Sequence, residues 1–433
     1  MNIRDLAGKN ICILGFGREG QAMAKALTEF AQGCTITVAD KNEAISVPKD
    51  CKKQTGEDWL SNLDTFDVLI KSPGIPPQPE ITRLKQKVTT STQIFFDTIK
   101  SSGATVIGVT GSKGKSTTST LIHAILKAAK EDTYLIGNIG EPAIAHLKDA
   151  QPKTVFVLEM SSYQLMDLTV SPDIAVVTAF FPEHLDYHGS LEAYLEAKKH
   201  IARFQTEKGI VIFNAEFPEA KEIAAESKGT KIPYTLKDSP VDQEDICLKG
   251  KHNLGNIAAA WKVCKLLDVD DEIFGEVVTH FKGLPHRLES VGIIDGVEWI
   301  NDSISTTPES AIAALDAFDD RVSVIILGGQ DRGYDFALLG QKIAASKSLR
   351  MAILLPDSGT VIGKALEHAG APVILSHTAT IEEAVQKARK AALDPKPEQG
   401  STPIVLLSPA APSYGHFKNF EDRGEQFRKA VRG

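Results

Sequence analysis

The chain has 433 residues, of which 42% are hydrophobic and 24% are charged, and this ordinary globular composition argues against a disordered or fibrous protein. A single hydrophobic core stops growing at roughly 250 to 300 residues, so we expect two or three domains. The 48 basic and 56 acidic residues give a formal net charge of −8, which argues against nucleic acid as a partner and against attraction to an anionic membrane.

The N-terminal segment MNIRDLAGKNICILGFG has no basic region leading into an apolar run and no small-residue cleavage site. No stretch of about 18 apolar residues, the length that spans a membrane, occurs in the sequence. We therefore expect a cytoplasmic protein without membrane insertion. The five cysteines show no CxxC pair and no metal-binding spacing, so neither disulfides nor thiol chemistry is predicted.

Short β-rich runs alternate with helical segments along the chain, which predicts an α/β fold in three regions. In the first region we expect strands at 10–14, 35–39 and 66–71 and a helix at 19–30. In the second we expect strands at 105–109, 154–159, 174–178 and 209–213 and a helix at 115–130. In the third we expect strands at 322–327, 351–355, 373–375 and 404–407. The regions should meet near 88–93 and near 283–286.

A glycine-rich turn, GSKGKS at residues 111–116, separates a predicted strand from a predicted helix. Backbone amides in such a turn can face an anion, and the helix N-terminus adds positive potential. Lys115 can reach terminal phosphates, and the Ser116 hydroxyl can bind Mg²⁺ beside them. Two residues rather than four separate Gly111 from the Gly114-Lys115 pair, so the usual GxxxxGK pattern is not matched literally. The alternative is an ordinary turn that opens a helix.

Two further signals lie at the ends of predicted strands. GFGREG at residues 15–20 satisfies GxGxxG, and Asp40 ends the next strand. This fingerprint is compatible with NAD, with another diphosphate, or with glycines that only allow close helix packing. Glu159 ends an apolar strand and should project from the carboxyl edge of a sheet, where a carboxylate suits Mg²⁺.

The shortened phosphate loop resembles the TGTNGKT/S loop of the Mur ligase family, which includes folylpolyglutamate synthetases. Six other segments match the family in order, namely GNIG from Gly137, LEMSSYQL from Leu158, HNLGN from His252, GLPHRLE from Gly283, NDS from Asn301 and FKNFEDRG from Phe417. The resemblance covers nearly the whole chain and is greatest to the members that add D-glutamate to UDP-N-acetylmuramoyl-L-alanine. It implies a Rossmann-like nucleotide-sugar domain at 1–92, a P-loop ATPase-like domain at 93–284 and a Rossmann-like amino-acid domain at 285–433. We further expect a monomer.

The resemblance also implies the roles of individual residues. Those expected at ATP are Gly111, Gly114, Lys115, Ser116, Thr117, Asn253, Asn256, Arg287 and Asp302. Those expected at the UDP substrate are Gly17, Arg18, Asp40, Ser72, Gly74 and Asn138, and those at the amino acid are Arg332, Ser413 and Phe420. Magnesium is expected on Ser116, Glu159, His184 and a carbamylated Lys198, and the catalytic set is Lys115, Glu159, His184 and Lys198.

Each of these segments could also have a purely structural role. His184 could be a loop or core histidine, with Asp186 and His188 as nearby polar alternatives, and Lys198 an ordinary solvated helical lysine. Asn253 and Asn256 could cap a helix, and Arg287 could be a surface arginine. The remaining candidates could serve as turns or loop contacts.

The implied reaction is ATP-driven amide formation between UDP-N-acetylmuramoyl-L-alanine and D-glutamate through an acyl phosphate, in peptidoglycan precursor synthesis, with L-glutamate as the alternative amino acid. A folylpolyglutamate synthetase would lack the N-terminal UDP-binding domain, and a non-catalytic nucleotide-binding protein would not need the metal and substrate segments together. The sequence departs from the family at NDSKATN, where the lysine is replaced by Ile304. Loss of this cation could re-shape the pocket for L-glutamate, or Arg332 could supply the positive charge.

Overall fold

The computed structural model describes residues 1–248, 250–318, 320–394 and 402–433. They form three β-sheets with helices between the strands, so the predicted α/β fold is confirmed. One compact unit comprises Met1–Asp242 with His252–Thr279, and the second comprises Gln243–Lys251 with His280–Gly433. Within the described residues no helix is long and apolar enough to cross a membrane.

The first sheet is parallel, with strand order β3-β2-β1-β4-β5. Its strands are β1 Asn10–Leu14, β2 Thr35–Asp40, β3 Cys51–Thr55, β4 Val68–Lys71 and β5 Val88–Thr89, and its helices are α1 Arg18–Phe30, α2 Pro79–Thr82 and α3 Ser91–Ile99. The strand order reverses direction between β1 and β4. In open α/β sheets such a switch point opens a crevice at the carboxyl ends of the strands, and the GFGREG turn follows β1 there.

The second sheet is also parallel, with order β11-β10-β9-β6-β8-β7. Its strands are β6 Thr105–Thr110, β7 Thr133–Gly137, β8 Val155–Glu159, β9 Ile174–Val177, β10 Ile210–Asn214 and β11 Thr230–Tyr234. The helices are α4 Lys115–Ala128, α5 Ser162–Leu165, α6 Leu185–His188, α7 Leu191–Arg203, α8 Pro218–Ala225, α9 His252–Leu266 and α10 Asp271–His280. Every residue of β8 is buried, as apolar strands covered by helices on both faces require.

The third sheet is mixed, with order β12-β13-β17-β14-β15-β16 and an antiparallel pairing of β12 with β13. Its strands are β12 Glu289–Ile294, β13 Val297–Asn301, β14 Val322–Gly329, β15 Met351–Asp357, β16 Ile374–His377 and β17 Ile404–Leu407. The helices are α11 Pro308–Asp316, α12 Ala337–Ala344, α13 Ser358–His368, α14 Ile381–Leu393 and α15 Phe420–Arg432. The parallel strands bring the loops after β13, β14 and β17 to one edge of the sheet.

Candidate active site

The phosphate loop lies between β6 and α4, and its shape depends on Gly114. This residue has φ +89°, and a Cβ there would also clash with Oδ1 of Asn256, so both the turn and the approach of α9 require glycine. Helix α4 begins at the next residue, Lys115. The Lys115 ammonium donates to the carbonyls of Gly111 at 2.9 Å and Ser112 at 2.8 Å. A helix N-terminus and an ammonium group therefore converge on one loop, as an anion site requires.

Lys198 is buried beside this loop. Its amine donates to the carbonyl of Gly111 at 2.8 Å and lies 4.6 Å from the ring centre of Tyr194. Burial, followed by the nearby charge of Lys115, holds the pKa of Lys198 well below its usual value. By contrast, the next lysine, Lys199, pairs with Glu222 at 2.5 Å, and this hydrogen bond raises its pKa. Only Lys198 of this pair is therefore biased toward the neutral, nucleophilic amine.

Glu159 supplies a buried carboxylate at the carboxyl end of β8. Its Oε1 accepts a hydrogen bond of 2.7 Å from the side-chain amide of Asn138. Its Oε2 is buried and has no hydrogen-bond donor among the described residues. Because a buried charged oxygen without a partner is costly, this atom fits a role as a cation ligand.

The described residues hold no cluster of three His, Cys, Asp or Glu side chains that could bind a metal by themselves. Mg²⁺ does not need one, because it is usually held by one or two carboxylates, with waters and substrate phosphates completing its shell. The residues around Glu159 therefore fit this ion.

Aromatic rings surround His184, which is exposed and has φ +57°. Its ring centre lies 4.9 Å from that of Tyr163 and 6.1 Å from that of Tyr194. Tyr163 also contacts His188, whose Nε2 lies 3.0 Å from the Ser162 hydroxyl. The side chain of Asp186 lies outside the described part of the chain.

One cavity of about 190 Å³ brings several of these side chains together. It is lined by Lys115, Asn138, Ser161, Ser162, Tyr163, His184, Tyr194 and Lys198. Three predicted catalytic residues thus share a cavity, and the fourth, Glu159, is hydrogen-bonded to a lining residue. Sequence reasoning missed Ser161, Ser162 and Tyr163, although they follow Glu159 directly in LEMSSYQL.

The two predicted adenine-site asparagines are buried near the start of α9. The side-chain amide of Asn256 donates to Oδ1 of Asn253 at 2.8 Å, and Oδ1 of Asn256 accepts from the Thr118 hydroxyl at 3.3 Å. Asn256 therefore links α9 to α4. Thr117 is buried on α4 and Ser116 is half-buried in its first turn.

Five of the six predicted UDP-substrate residues lie at the carboxyl ends of β1, β2 and β4, and the sixth, Asn138, follows β7 in the second sheet. Oδ2 of Asp40 accepts from the backbone amide of Phe16 at 2.7 Å, and the Ser72 hydroxyl donates to the carbonyl of Gly15 at 3.0 Å. Gly17 is the N-cap of α1. Asp40 and Ser72 therefore brace the GFGREG turn.

Two more contacts connect this edge to the central sheet. The Arg18 guanidinium donates to the carbonyl of Gly140, which follows Asn138 in the GNIG turn. The Tyr187 hydroxyl lies 2.8 Å from each of two carbonyls, those of Pro73 and Ile75, which flank Gly74. The SPG turn is thus hydrogen-bonded to α6, which directly follows His184.

In the second unit, Asp302 follows β13 and is fully buried. Its Oδ1 accepts from the backbone amide of Leu288 at 3.1 Å and its Oδ2 from the Ser408 hydroxyl at 2.8 Å. Burial raises the pKa of Asp302 to about 6 despite these bonds. Nε of Arg287 is buried and has no hydrogen-bond acceptor among the described residues.

The predicted amino-acid residues occupy the neighbouring loops of the same sheet. Arg332 follows β14, and its guanidinium lies 5.9 Å from the ring centre of Tyr414. Ser413 is buried in the loop after β17, and Phe420 is the first residue of α15. Ile304, which replaces the family lysine, is partly buried after β13.

Comparisons with known proteins find Mur ligases along the whole length of the chain. Residues 109–246 match the Mur ligase middle domain, and residues 286–410 match the Mur ligase, glutamate ligase domain. A UDP-N-acetylmuramoyl-L-alanine--L-glutamate ligase from Salinispora tropica is 36% identical over 100% of this chain and 99% of its own. A UDP-N-acetylmuramoylalanine--D-glutamate ligase from Acetivibrio thermocellus is 33% identical over 99% of this chain and 97% of its own.

Solved structures give the same fold at lower identity. The MurF ligase from Thermotoga maritima, crystallised with ADP, has a TM-score of 0.60 at 16% identity and covers 100% of this chain and 97% of its own. A folylpolyglutamate synthase from Mycobacterium tuberculosis also has a TM-score of 0.60, at 14% identity, but covers 82% of this chain and 95% of its own. With full-length relatives above 30% identity and both domain matches in order, the chain belongs to the Mur ligase family.

Proposed function

We propose that this chain is an ATP-dependent, ADP-forming ligase that joins UDP-N-acetylmuramoyl-L-alanine to glutamate in cytoplasmic peptidoglycan precursor synthesis. The observation that carries the proposal is the single cavity that holds Lys115, His184 and Lys198, in a chain whose full-length relatives bear glutamate-ligase names. A non-catalytic nucleotide-binding protein would not require a buried lysine whose pKa is lowered, such as Lys198, beside the phosphate loop.

The chemistry proceeds in two displacements. The alanine carboxylate of the acceptor attacks the terminal phosphorus of ATP, so that an oxygen–phosphorus bond forms and ADP leaves. The glutamate amine then attacks the acyl carbon, loses a proton, and expels phosphate as the amide bond forms. Lys115 and the N-terminus of α4 stabilise the charge that develops on the transferred phosphate.

Ser116, Glu159, His184 and Lys198 are the proposed holders of Mg²⁺. When bound, the ion would offset the phosphate charge and help to orient the reactants. Lys198 becomes a suitable ligand when its neutral amine adds to carbon dioxide, forming a carbamate and releasing a proton. The carbamate would replace the repulsion between Lys198 and Lys115 by attraction, which the buried position favours.

Either isomer of glutamate could be the incoming amino acid, and the observations rank D-glutamate first and L-glutamate second. D-Glutamate is the first, because the FKNFEDRG segment and Ser413 resemble the D-glutamate-adding members and because relatives such as the Acetivibrio enzyme carry that name. L-Glutamate is the second, and two observations favour it. Relatives from Salinispora and Micromonospora, at 36% and 35% identity, are named L-glutamate ligases, and Ile304 removes a cation from the segment after β13.

Phosphate release tests this proposal. It should require ATP, the UDP-muramoyl acceptor and glutamate together, and mass spectrometry should find the acceptor extended by one glutamate residue. Parallel reactions with D-glutamate and L-glutamate decide the isomer. ATP binding without incorporation of any amino acid would reject the ligase assignment, whereas a preference for L-glutamate would change only the stereochemistry.

A further inference from the structure

Arg423, on α15, is a charged side chain that the proposed chemistry does not use, yet it is completely buried. Its Nε donates to the Ser303 hydroxyl at 3.0 Å, and one terminal nitrogen donates to the Ser303 carbonyl at 2.9 Å. The other terminal nitrogen donates to the carbonyls of Ala411 at 3.0 Å and Gly328 at 3.4 Å. One guanidinium thus contacts the loops after β13 and β17 and the end of β14.

Two of these segments carry residues predicted at the amino acid, Arg332 and Ser413, and the segment after β13 carries Asp302, predicted at ATP, together with Ile304. Ser303 follows Asp302, Gly328 precedes Arg332, and Ala411 precedes Ser413 in the chain. The Ser303 hydroxyl also donates to the carbonyl of Phe420 at 2.8 Å. Since this hydroxyl accepts from Arg423 while it donates to Phe420, the start of α15 joins the same network.

The backbone leaves room for the guanidinium. A Cβ on Gly329 would lie 2.9 Å from a terminal nitrogen of Arg423 and would clash with the carbonyl of Pro412. Gly329 also has φ +154°, so a larger residue would both strain the backbone and press on Arg423. The end of β14 is therefore shaped around this side chain.

Stability alone does not explain a cation in this position. Burying a guanidinium incurs a desolvation penalty that a hydrophobic side chain of similar volume avoids. Burial lowers the pKa of Arg423 to about 9, which still leaves the group charged at neutral pH. What a planar, five-donor guanidinium adds is fixed directions toward several acceptors at once.

Backbone hydrogen bonds offer a rival explanation for how the loops are held. The amide of Gly328 donates to Pro409 at 2.7 Å, and that of Gln330 donates to Pro412 at 2.8 Å. These bonds join the β14 and β17 loops without Arg423. The amide of Asp302 also donates to the carbonyl of Leu407 at 2.8 Å, and that of Ala410 donates to the carbonyl of Ser305 at 3.0 Å, so backbone bonds join the β13 and β17 segments as well. None of these bonds includes Ser303 or Phe420, which are connected through the guanidinium and the Ser303 hydroxyl.

We propose that Arg423 is a positioning residue that sets the affinity and isomer selectivity for glutamate by fixing the loops that carry Arg332, Ser413 and Phe420. It is too deeply buried to touch the amino acid itself. This inference rests on the proposed ligase function. It assigns to Arg423, on α15, control over how the amino acid is held.

The test compares Arg423→Lys with wild type and with Arg428→Lys. The first change keeps the charge but removes the planar fork, whereas Arg428 lies on the same helix, partly exposed, and pairs with Glu289 and Glu425. Because small displacements of binding groups have large kinetic effects, we expect Arg423→Lys to raise the KM for glutamate by about tenfold or more and to lower the isomer preference by about fivefold. The KM for ATP should stay within about twofold, and Arg428→Lys should leave all values within about twofold.

A purely structural role would lower kcat through loss of folded enzyme and would leave the glutamate KM and the isomer ratio unchanged, and that result would overturn the proposal. If Arg423→Lys does not fold, Ser303→Ala removes one acceptor of the guanidinium and the bond to Phe420, and should raise the glutamate KM by about threefold or more. An unchanged KM in that variant would equally reject the inference. Inactive wild-type enzyme would reject the proposed function and this inference together. Active wild-type enzyme, with an Arg423→Lys variant whose glutamate KM and isomer ratio are unchanged, would reject the inference alone.

Discussion

Adjacent residues on α7 show how strongly environment decides the chemistry of a lysine. Lys198 is buried with its pKa held low, whereas Lys199 is paired with Glu222 and has a raised pKa. A neutral amine can add carbon dioxide, and a protonated one cannot. The two side chains therefore form a natural comparison for the proposed carbamate.

Lys198→Ala should lower ligase turnover by about a hundredfold or more, because it removes a proposed ligand group from the reaction centre. Short carboxylic acids should restore part of the activity by replacing the missing oxygen ligand. Lys199→Ala, the matched control, should stay within about twofold of wild type because it loses only ion pairs to the exposed carboxylates of Glu196 and Glu222. Full turnover of Lys198→Ala without added acid would contradict the carbamate.

Lys115→Ala should abolish ATP-dependent ligation, a loss of about a thousandfold, while thermal unfolding changes little. Lys115 is the first residue of α4, and its ammonium group donates to the carbonyls of Gly111 and Ser112, so the substitution removes a charge at the loop that is proposed to hold phosphate. Lys127→Ala, at the exposed end of the same helix, is the control. Wild-type turnover in Lys115→Ala would refute the phosphate-loop assignment.

Asp302 gives a pH-dependent contribution to stability. Its pKa rises from 3.8 to about 6 on folding, so the folded state favours the protonated acid. Stabilisation from this group is complete below the lower pKa and is lost as the pH rises through the higher one. This pH dependence of stability is opposite in sign to that of a salt-bridged aspartate, whose stabilising contribution grows as the pH rises.

Asp302→Asn removes this titration. Between about pH 4.5 and about pH 7, the unfolding free energy of the variant should therefore rise relative to that of wild type by about 2 kcal/mol. Urea unfolding at the two pH values measures the difference. A constant difference between variant and wild type would show that Asp302 titrates at its ordinary value in the folded protein.

At the scale of elements, the turn from β6 into α4 depends on one backbone conformation. Gly114→Ala should destabilise the protein by about 1 to 3 kcal/mol, because alanine is strained at a positive φ and would press on Asn256. The displaced loop should also bind ATP more weakly, which calorimetric titration measures. Gly275→Ala, in α10, places a Cβ where no other atom lies within 4 Å, so it should instead be neutral or stabilising. Equal behaviour of the two variants would reject the strained-turn account.

The buried apolar strands were predictable from sequence, whereas the shortest helices and the β12–β13 hairpin were not. Strands β1 and β17 begin and end at the predicted residues. Helices α5 and α6 are only four residues long, which is too short for a periodic pattern to develop. The hairpin of β12 and β13 was missed, although Asp295 and Gly296 both have positive φ and Asp-Gly is a strong hairpin signal.

The candidate site was predictable only in part for a related reason. The phosphate loop has a local pattern, so Lys115 could be singled out from sequence, and it is the first residue of α4. The burial of Lys198 and Arg423 has no local signature, because it depends on Gly111 in one case and on loops from three distant strands in the other. A charged residue on an amphipathic helix is normally solvated, so its pattern gives no warning of burial.

At the scale of the whole molecule, each of the three sheets gathers predicted ligand residues at the carboxyl ends of its strands. This follows from parallel pairing, which aligns the strand ends and so the loops that leave them. The predicted boundary at 92 falls within α3, and one compact unit contains both of the first two sheets. The division into three domains therefore stays a prediction, whereas the three sheets are observed.

The central claim is that the acceptor carboxylate attacks ATP, and oxygen transfer tests it most directly. An acceptor carrying a heavy oxygen isotope in both alanine carboxylate oxygens is incubated with ATP and glutamate, and the phosphate and the amide product are examined by mass spectrometry. Passage through an acyl phosphate predicts that each released phosphate carries one labelled oxygen while the amide keeps the other. Unlabelled phosphate released with ADP would contradict the account, because it would mean that water, not the carboxylate, had attacked the nucleotide.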